Sequence, residues 1–96
     1  MPVCATSAFK HDQNGMRHER KLIVNGLAQP EPLQLFWSGY AGVVGLPAIV
    51  GPIGTVDGLP VGYQAISGFG RDRTLLAFAK AVEKELGGFV APPGYE

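Results

Sequence analysis

The chain contains few residues that could act as nucleophiles, and none of them stands in a pattern typical of catalysis. Its only serines are Ser7, Ser38 and Ser67, and its only cysteine is Cys4. Nucleophilic catalysis needs a base within hydrogen-bond reach of the hydroxyl or thiol, and a third group that orients that base. No serine lies in a Gly/Ser-rich loop with a second serine nearby, and Cys4 has no identifiable partner. The sequence therefore predicts no catalytic residue within this chain.

The histidines and lysines offer no clearer chemistry. His11 precedes Asp12 and could form half of a nucleophile-activating pair, or it could join His18 in a metal site. Because metal sites usually take three or four protein ligands, we interpret both histidines as solvated loop residues and expect no metal. The glycine pair at positions 68 and 70 lacks a following phosphate-binding helix pattern, so we expect no nucleotide loop. The lysines fall in a loop, at a strand edge and on a solvated helix face: Lys10, Lys21, Lys80 and Lys84.

Three aromatic residues near the middle of the chain are the best candidates for contact with a ligand. Phe36, Trp37 and Tyr40 lie within one apolar stretch with helix-like spacing. Aromatic side chains often line apolar pockets, which favours a role as a pocket wall. The same side chains could instead fill the core between a helix and a sheet, and one residue can serve both purposes. Both interpretations stay open: packing in the core is favoured, and the same three residues are our candidates for the wall of a substrate pocket.

The elements that must position these aromatics begin with a hairpin and a helix. Residues 22–24 form a β-branched strand candidate, and Asn25-Gly26 after them is the strongest two-residue signal for a type I′ turn. Pro30 and Pro32 predict that the return strand is brief, because proline cannot donate to a strand ladder. The apolar stretch 33–44 then predicts a helix, with Gly45 as its C′ terminator.

Two Gly-Leu-Pro triplets mark the next elements. The triplets at 45–47 and 58–60 each lead into a short apolar run, at 48–50 and 61–66. These runs predict two short buried strands, and the proline and glycines between them predict a connecting loop over Pro52, Gly54 and Asp57-Gly58.

The clearest helix is expected over residues 73–86. Asp72 suits its N-cap, Gly87-Gly88 should end it, and Phe89 stands where a Schellman motif places its hydrophobic contact. The strand at 61–66 followed by this helix looks like half of a βαβ unit, and the second parallel strand is missing. One apolar stripe should face the core: Leu75, Leu76, Ala79, Val82 and Leu86.

Composition predicts one small globular domain over residues 1–96. The chain is 46% hydrophobic and 17% charged with a formal net charge of zero. These values exclude the composition of a disordered segment and give no basic excess for nucleic acid or a membrane surface. No apolar run is long enough to cross a bilayer, and a single cysteine indicates a reducing, cytoplasmic compartment. Fourteen glycines and eight prolines are many for a domain that folds unaided, so we expect the chain to belong to something larger.

Several short motifs occur in a fixed order along the chain. They are Val24-Asn25-Gly26, Leu35-Phe36-Trp37, Gly45-Leu46-Pro47-Ala48, Pro52-x-Gly54, Asp57-Gly58-Leu59-Pro60-Val61-Gly62-x-Gln64, Thr74-Leu75-Leu76, and Gly88-Phe89-x-x-Pro92-Pro93-Gly94-Tyr95. In this order and spacing they resemble the C-terminal part of amidase-signature hydrolases, and the match runs roughly from Leu22 to Tyr95.

The resemblance implies an α/β fold of which this chain is one piece: a β-hairpin, a helix, two strands and a C-terminal helix from a larger mixed-sheet domain. It implies hydrolysis of a carboxylic amide without a cofactor. In this chemistry a serine attacks the carbonyl, and a second serine and a lysine move the proton. Those residues would lie N-terminal to this chain. Members that act on glutamine carry an aspartate ten residues before the first Gly-Leu-Pro, and Leu35 at that position implies a more apolar amide.

The expected partners follow from the same resemblance. The intact parent enzyme would bind a small-molecule amide, and the isolated chain would pair with a separately encoded N-terminal amidase half or with itself. The alternative is a non-catalytic interaction module, either half of a split enzyme or a gene remnant. No nucleic acid or membrane is expected as a partner.

Overall fold

The computed structural model describes all residues from Met1 to Glu96. Its elements follow the predicted order of hairpin, helix, two strands and helix, with short 3-10 turns at Arg17–Glu19 and Glu31–Gln34. The strands and helices are β1 (Lys21–Val24), β2 (Leu27–Pro30), α1 (Leu35–Val43), β3 (Ala48–Val56), β4 (Leu59–Ile66) and α2 (Asp72–Leu86). The strands form two separate antiparallel pairs, β1 with β2 and β3 with β4. Neither helix is both long and apolar enough to cross a lipid bilayer.

The first hairpin confirms the prediction made from Asn25-Gly26. Asn25 has φ 51° and Gly26 has φ 77°, which is the positive-φ pair that a type I′ turn needs. Val24 pairs with Leu27 directly across this turn, and Lys21 pairs with Pro30 at the far end. The return strand ends at Pro30, as its missing N–H predicts.

Helix α1 is shorter than predicted and ends as predicted. The expected helix over 33–44 is divided into the 3-10 turn Glu31–Gln34 and the α-helix Leu35–Val43. Gly45 adopts φ 65°, and its N–H donates to the Gly42 carbonyl at 3.2 Å. The Leu46 N–H donates to the Ala41 carbonyl at 3.0 Å, which completes a Schellman motif.

The second hairpin corrects the predicted loop. Pro52 and Gly54 lie inside β3, which runs continuously to Val56, with a β-bulge between these two residues. The connection is only the two-residue turn Asp57-Gly58, both at positive φ. Proline is tolerated in a strand where no ladder partner needs its N–H, and a bulge absorbs the extra residue. Neither strand is buried over its length, so the expectation of short buried strands is also wrong.

Helix α2 covers the predicted residues, but its N-cap is not the predicted Asp72. The N-cap is Arg71, with no side-chain cap, and Asp72 is the first helical residue. An aspartate in the first turn still interacts favourably with the positive end of the helix dipole. Gly87 ends the helix with φ 76° and ψ 141°, so the Schellman contact expected of Phe89 does not form, and Phe89 is exposed.

Helix α2 packs against one face of the β3–β4 hairpin. The rings of Tyr63 and Phe78 meet edge to face with centroids 6.1 Å apart. Gly51, opposite Tyr63 in the ladder, allows this approach, because a Cβ there would lie 2.8 Å from the Tyr63 ring. Of the predicted apolar stripe, Leu75 is buried and Leu76 and Leu86 are exposed.

The core is very small for a chain of this length. Only Ala41, Gln64 and Leu75 are buried, and the accessible surface is 7558 Å². A folded monomer of 10.2 kDa exposes about 5,300 Å², so roughly 2,200 Å² is in excess. The Cα radius of gyration is 15.3 Å, against about 12.5 Å for a compact domain of this length. The expectation that the chain does not complete a core alone agrees with these dimensions.

Candidate functional site

The three predicted wall residues form one aromatic cluster on α1. The ring centroids of Phe36 and Trp37 are 5.4 Å apart, and those of Phe36 and Tyr40 are 6.0 Å apart, both close to edge-on. Phe36 is 62% exposed and Tyr40 is 52% exposed, whereas Trp37 is half-buried. Edge-to-face contacts of this kind are favourable, so the three rings stabilise one another although two of them face solvent.

A groove of about 440 Å³ runs beside this cluster. Phe36 and Tyr40 contribute to its wall, and Trp37 lies outside it. The only polar side-chain atom among the lining residues is the Tyr40 hydroxyl, so the groove can hold an apolar group and orient it with one hydrogen bond. The lining residues are Leu35, Phe36, Gly39, Tyr40, Val43, Val44 and Leu46.

No nucleophile and base meet at this groove or elsewhere in the chain. The Ser7 hydroxyl donates to the Ala8 carbonyl at 3.2 Å, and the Ser38 hydroxyl donates to the Leu35 carbonyl at 3.4 Å. Neither serine hydrogen-bonds a histidine, lysine or carboxylate. Cys4 is an exposed free thiol. Since a nucleophile needs a base at about 2.6–3.2 Å, these side chains are not arranged for acyl transfer.

Neither histidine lines the groove. His11 and His18 are both exposed. No three histidine, cysteine, aspartate or glutamate side chains come together as a set that could hold a metal ion. The ion pairs lie elsewhere, where Glu31 accepts from Arg17 at 3.2 Å and approaches Arg20 at 3.9 Å.

Sequence reasoning missed the residue that ties the groove helix to the sheet. Gln64 is 3% exposed, and its Nε2 donates to the carbonyl of Trp37 on α1 and to that of Pro2 at 3.0 Å. Its backbone N–H donates to the Met1 carbonyl at 2.8 Å. One side-chain amide therefore joins α1, β4 and the N-terminal segment. The available signal was a lone polar residue within the apolar run of β4.

Fold and groove together define a small α/β chain with an exposed, mostly apolar groove and a very small core. No family model matches the chain. It is 39% identical over 83 residues to a glutamyl-tRNA(Gln) amidotransferase subunit from Clostridium kluyveri, covering 86% of this chain and 15% of that protein. It is 37% identical over 62 residues to human fatty-acid amide hydrolase 2, covering 64% of this chain and 12% of the hydrolase.

A third relative is the corresponding glutamyl-tRNA(Gln) amidotransferase subunit from Archaeoglobus fulgidus. It is 47% identical over 45 residues, which cover 47% of this chain and 10% of that protein. Both kinds of relative, amidotransferase and hydrolase, are amidase-signature enzymes. The chain belongs to the amidase-signature family, and it spans 15% or less of the three relatives described.

Proposed function

We propose that this chain is the C-terminal part of an amidase that hydrolyses the C–N bond of a carboxylic amide. In that reaction water supplies oxygen to the acyl carbon, and the nitrogen leaves as an amine or ammonia. The proposal is supported mainly by the sequence identity to two kinds of relative, 39% to the amidotransferase subunit and 37% to the fatty-acid amide hydrolase. The catalytic serines and lysine would lie outside this chain, because its own serines have no base beside them.

The contribution of this chain would be one wall of the substrate cavity. The α1 groove offers apolar surface at Phe36, Tyr40 and Val43, and a single hydroxyl. Such a surface suits the apolar part of a substrate and leaves the chemistry to residues elsewhere. With Leu35 also in the groove wall, an amide with an apolar acyl or amine group is the favoured substrate class.

The proposal can be tested in a chimera. In the Clostridium kluyveri protein, the matched stretch of 83 residues would be replaced by the corresponding residues of this chain. We expect the chimera to hydrolyse amides and to prefer an apolar primary amide over glutamine, relative to the parent. Phe36→Ala should lower kcat/KM for the apolar amide by about tenfold, a usual size for losing apolar contacts in a pocket.

Phe69→Ala is the matched control, because Phe69 is 87% exposed and lies outside the groove. It should leave kcat/KM unchanged. A chimera that folds with the parent's circular dichroism spectrum and hydrolyses no amide would contradict the proposal. Turnover by the 96-residue chain alone that disappears on changing Ser7, Ser38 or Ser67 would also contradict it.

A second candidate is a non-catalytic complementing or interaction module. The roughly 2,200 Å² of excess surface favours this function, since one side of a standard protein interface covers about 800 Å². A tight complex with a separately produced N-terminal amidase half, without any amide hydrolysis, would select this candidate over the first.

A further inference from the structure

The outer edge of β3 has no hydrogen-bonding partner. On β4, the N–H and C=O of Gln64 bond to Met1 at 2.8 and 2.9 Å, so they point away from β3. Val50 is the ladder partner of Gln64, and in an antiparallel pair such a residue also points its N–H and C=O outward. By the same alternation Ala48 presents both groups at this edge, and Pro52 presents a carbonyl only.

Over Ala48–Val50 the β3 sequence does not protect this edge, and the edge proline Pro52 and the bulge after it blunt only its far end. Strands that form a natural sheet edge usually carry charged side chains or are covered, because a bare edge pairs with other chains. The nine residues Ala48–Val56 include no charged side chain, and Val50 is 63% exposed. The opposite edge of the same hairpin is covered, since Met1 bonds to Gln64 and the Ala8 N–H donates to the Pro60 carbonyl at 3.2 Å.

The surface beside this edge combines apolar side chains with charges of both signs. A groove bordered by Val50 and Pro52 is also lined by apolar Leu76 and by one charge of each sign, Lys80 and Glu83. With a formal net charge of zero, two copies do not repel each other over long range. The roughly 2,200 Å² of excess surface exceeds the ~800 Å² per partner that a stable dimer buries.

We propose that two copies of this chain pair antiparallel through their β3 edges, about a two-fold axis at Val50. The two Val50 residues then exchange two hydrogen bonds, N–H to C=O in each direction. Each Ala48 N–H donates to the Pro52 carbonyl of the other copy. In this register the Ala48 carbonyl has no donor on the other copy, because Pro52 lacks an N–H, and the strands are joined by the two Val50 bonds and one bond from each Ala48. The α2 helices of the two copies lie on the same face of the joined sheet. The proposal does not depend on the amidase assignment.

Sedimentation of the 96-residue chain tests the stoichiometry. We expect a dimer at micromolar concentration, and slow hydrogen exchange at the Val50 amide, which faces away from its own hairpin. Val50→Pro removes the N–H that serves only the new pairing and should raise the dimer dissociation constant at least tenfold. Val50→Thr keeps the N–H and the β-branched shape and should leave dimerisation within threefold of the parent.

Cross-linking tests the register without depending on the proline variant. In a Cys4→Ser background, Val50→Cys should form an intermolecular disulfide with diamide, because directly paired Cα atoms lie about 5.5 Å apart. Thr55→Cys is the control, since residue 55 and its copy would be about 30 Å apart in this register. A monomer at 100 μM, equal cross-linking of both variants, or a Val50 amide protected only by an added amidase half would each overturn the proposal.

Discussion

Replacing Gln64 by leucine is expected to detach the N-terminal segment and loosen α1 from the sheet. Leucine keeps nearly the same volume but cannot donate, so the carbonyls of Pro2 and Trp37 each lose a hydrogen bond. A typical hydrogen bond contributes about 1 kcal/mol net, so Gln64→Leu should cost about 2 kcal/mol. For a domain of this size, that loss lowers Tm by roughly 10 °C.

Gln64→Glu distinguishes a lost hydrogen bond from a packing defect. At neutral pH its carboxylate would face the same two carbonyl oxygens without a proton to donate, so the pKa of this introduced carboxyl should rise above its usual range. The destabilisation caused by Gln64→Glu is then largest at pH values above the raised pKa of the folded state. It decreases as the pH falls towards about 4.3, the pKa of glutamate in the unfolded chain. Gln64→Leu should show no such dependence relative to the parent chain.

Urea unfolding at a fixed protein concentration, followed by the fluorescence of the single tryptophan Trp37, measures these differences. Gln13→Leu is the matched control, because Gln13 is exposed and makes no side-chain hydrogen bond. The assigned role of Gln64 is refuted if Gln64→Leu unfolds within 0.5 kcal/mol (roughly the scatter of surface substitutions) of the Gln13→Leu control.

Three further substitutions probe the packing at two glycines and the ion pair of Glu31. Gly51→Ala should lower the free energy of unfolding by about 1–3 kcal/mol in the same urea assay, because its Cβ would lie 2.8 Å from the Tyr63 ring. Gly39→Ala, whose Cβ would have no neighbour within 4 Å beyond the adjacent residues and the helix backbone, should instead raise the free energy of unfolding by about 0.5–1 kcal/mol. Equal effects of the two substitutions would contradict the packing described. Glu31→Gln should lower the free energy of unfolding by less than about 1 kcal/mol, because its partner Arg17 is mostly exposed. This loss should shrink in 1 M NaCl, which screens the ion pair, and a salt-independent loss would show that the charge is not the cause.

Local signals predicted the parts of the fold that depend on local chemistry. The positive-φ turn at Asn25-Gly26, the terminator Gly45 and the extent of α2 each follow from neighbouring residues, and the structure confirms them. The prediction that Pro52 lies in a loop was wrong. A proline fits within a strand when the position of its missing N–H faces away from the paired strand, as it does in β3. That direction is set by the pairing of β3 with β4, which single-residue preferences do not reveal.

The site was predictable to a smaller extent. Helical spacing placed Phe36 and Tyr40 on one side of α1, where they share a groove, but Trp37 lies outside it. Burial of an aromatic side chain depends on what packs over it, and Phe36 stays 62% exposed despite its contacts with Trp37 and Tyr40. The role of Gln64 depends on contacts with Pro2 and Trp37, which are 62 and 27 positions away in sequence. Whether the groove lines a substrate cavity stays a prediction.

The bond from Gln64 to Pro2 also determines when the N-terminal segment can fold during synthesis. The two residues are 62 positions apart, and at about 5–20 residues per second the ribosome needs roughly 3 to 12 s to make that stretch. Throughout that interval Val3 and Phe9 lack the β4 residues with which they line a groove, Val61 and Gly62. Residues 1–9 thus leave the ribosome several seconds before their native partners on β4 are made. Translation speed and the chaperones at the ribosome exit would therefore influence how much of this chain reaches its folded state.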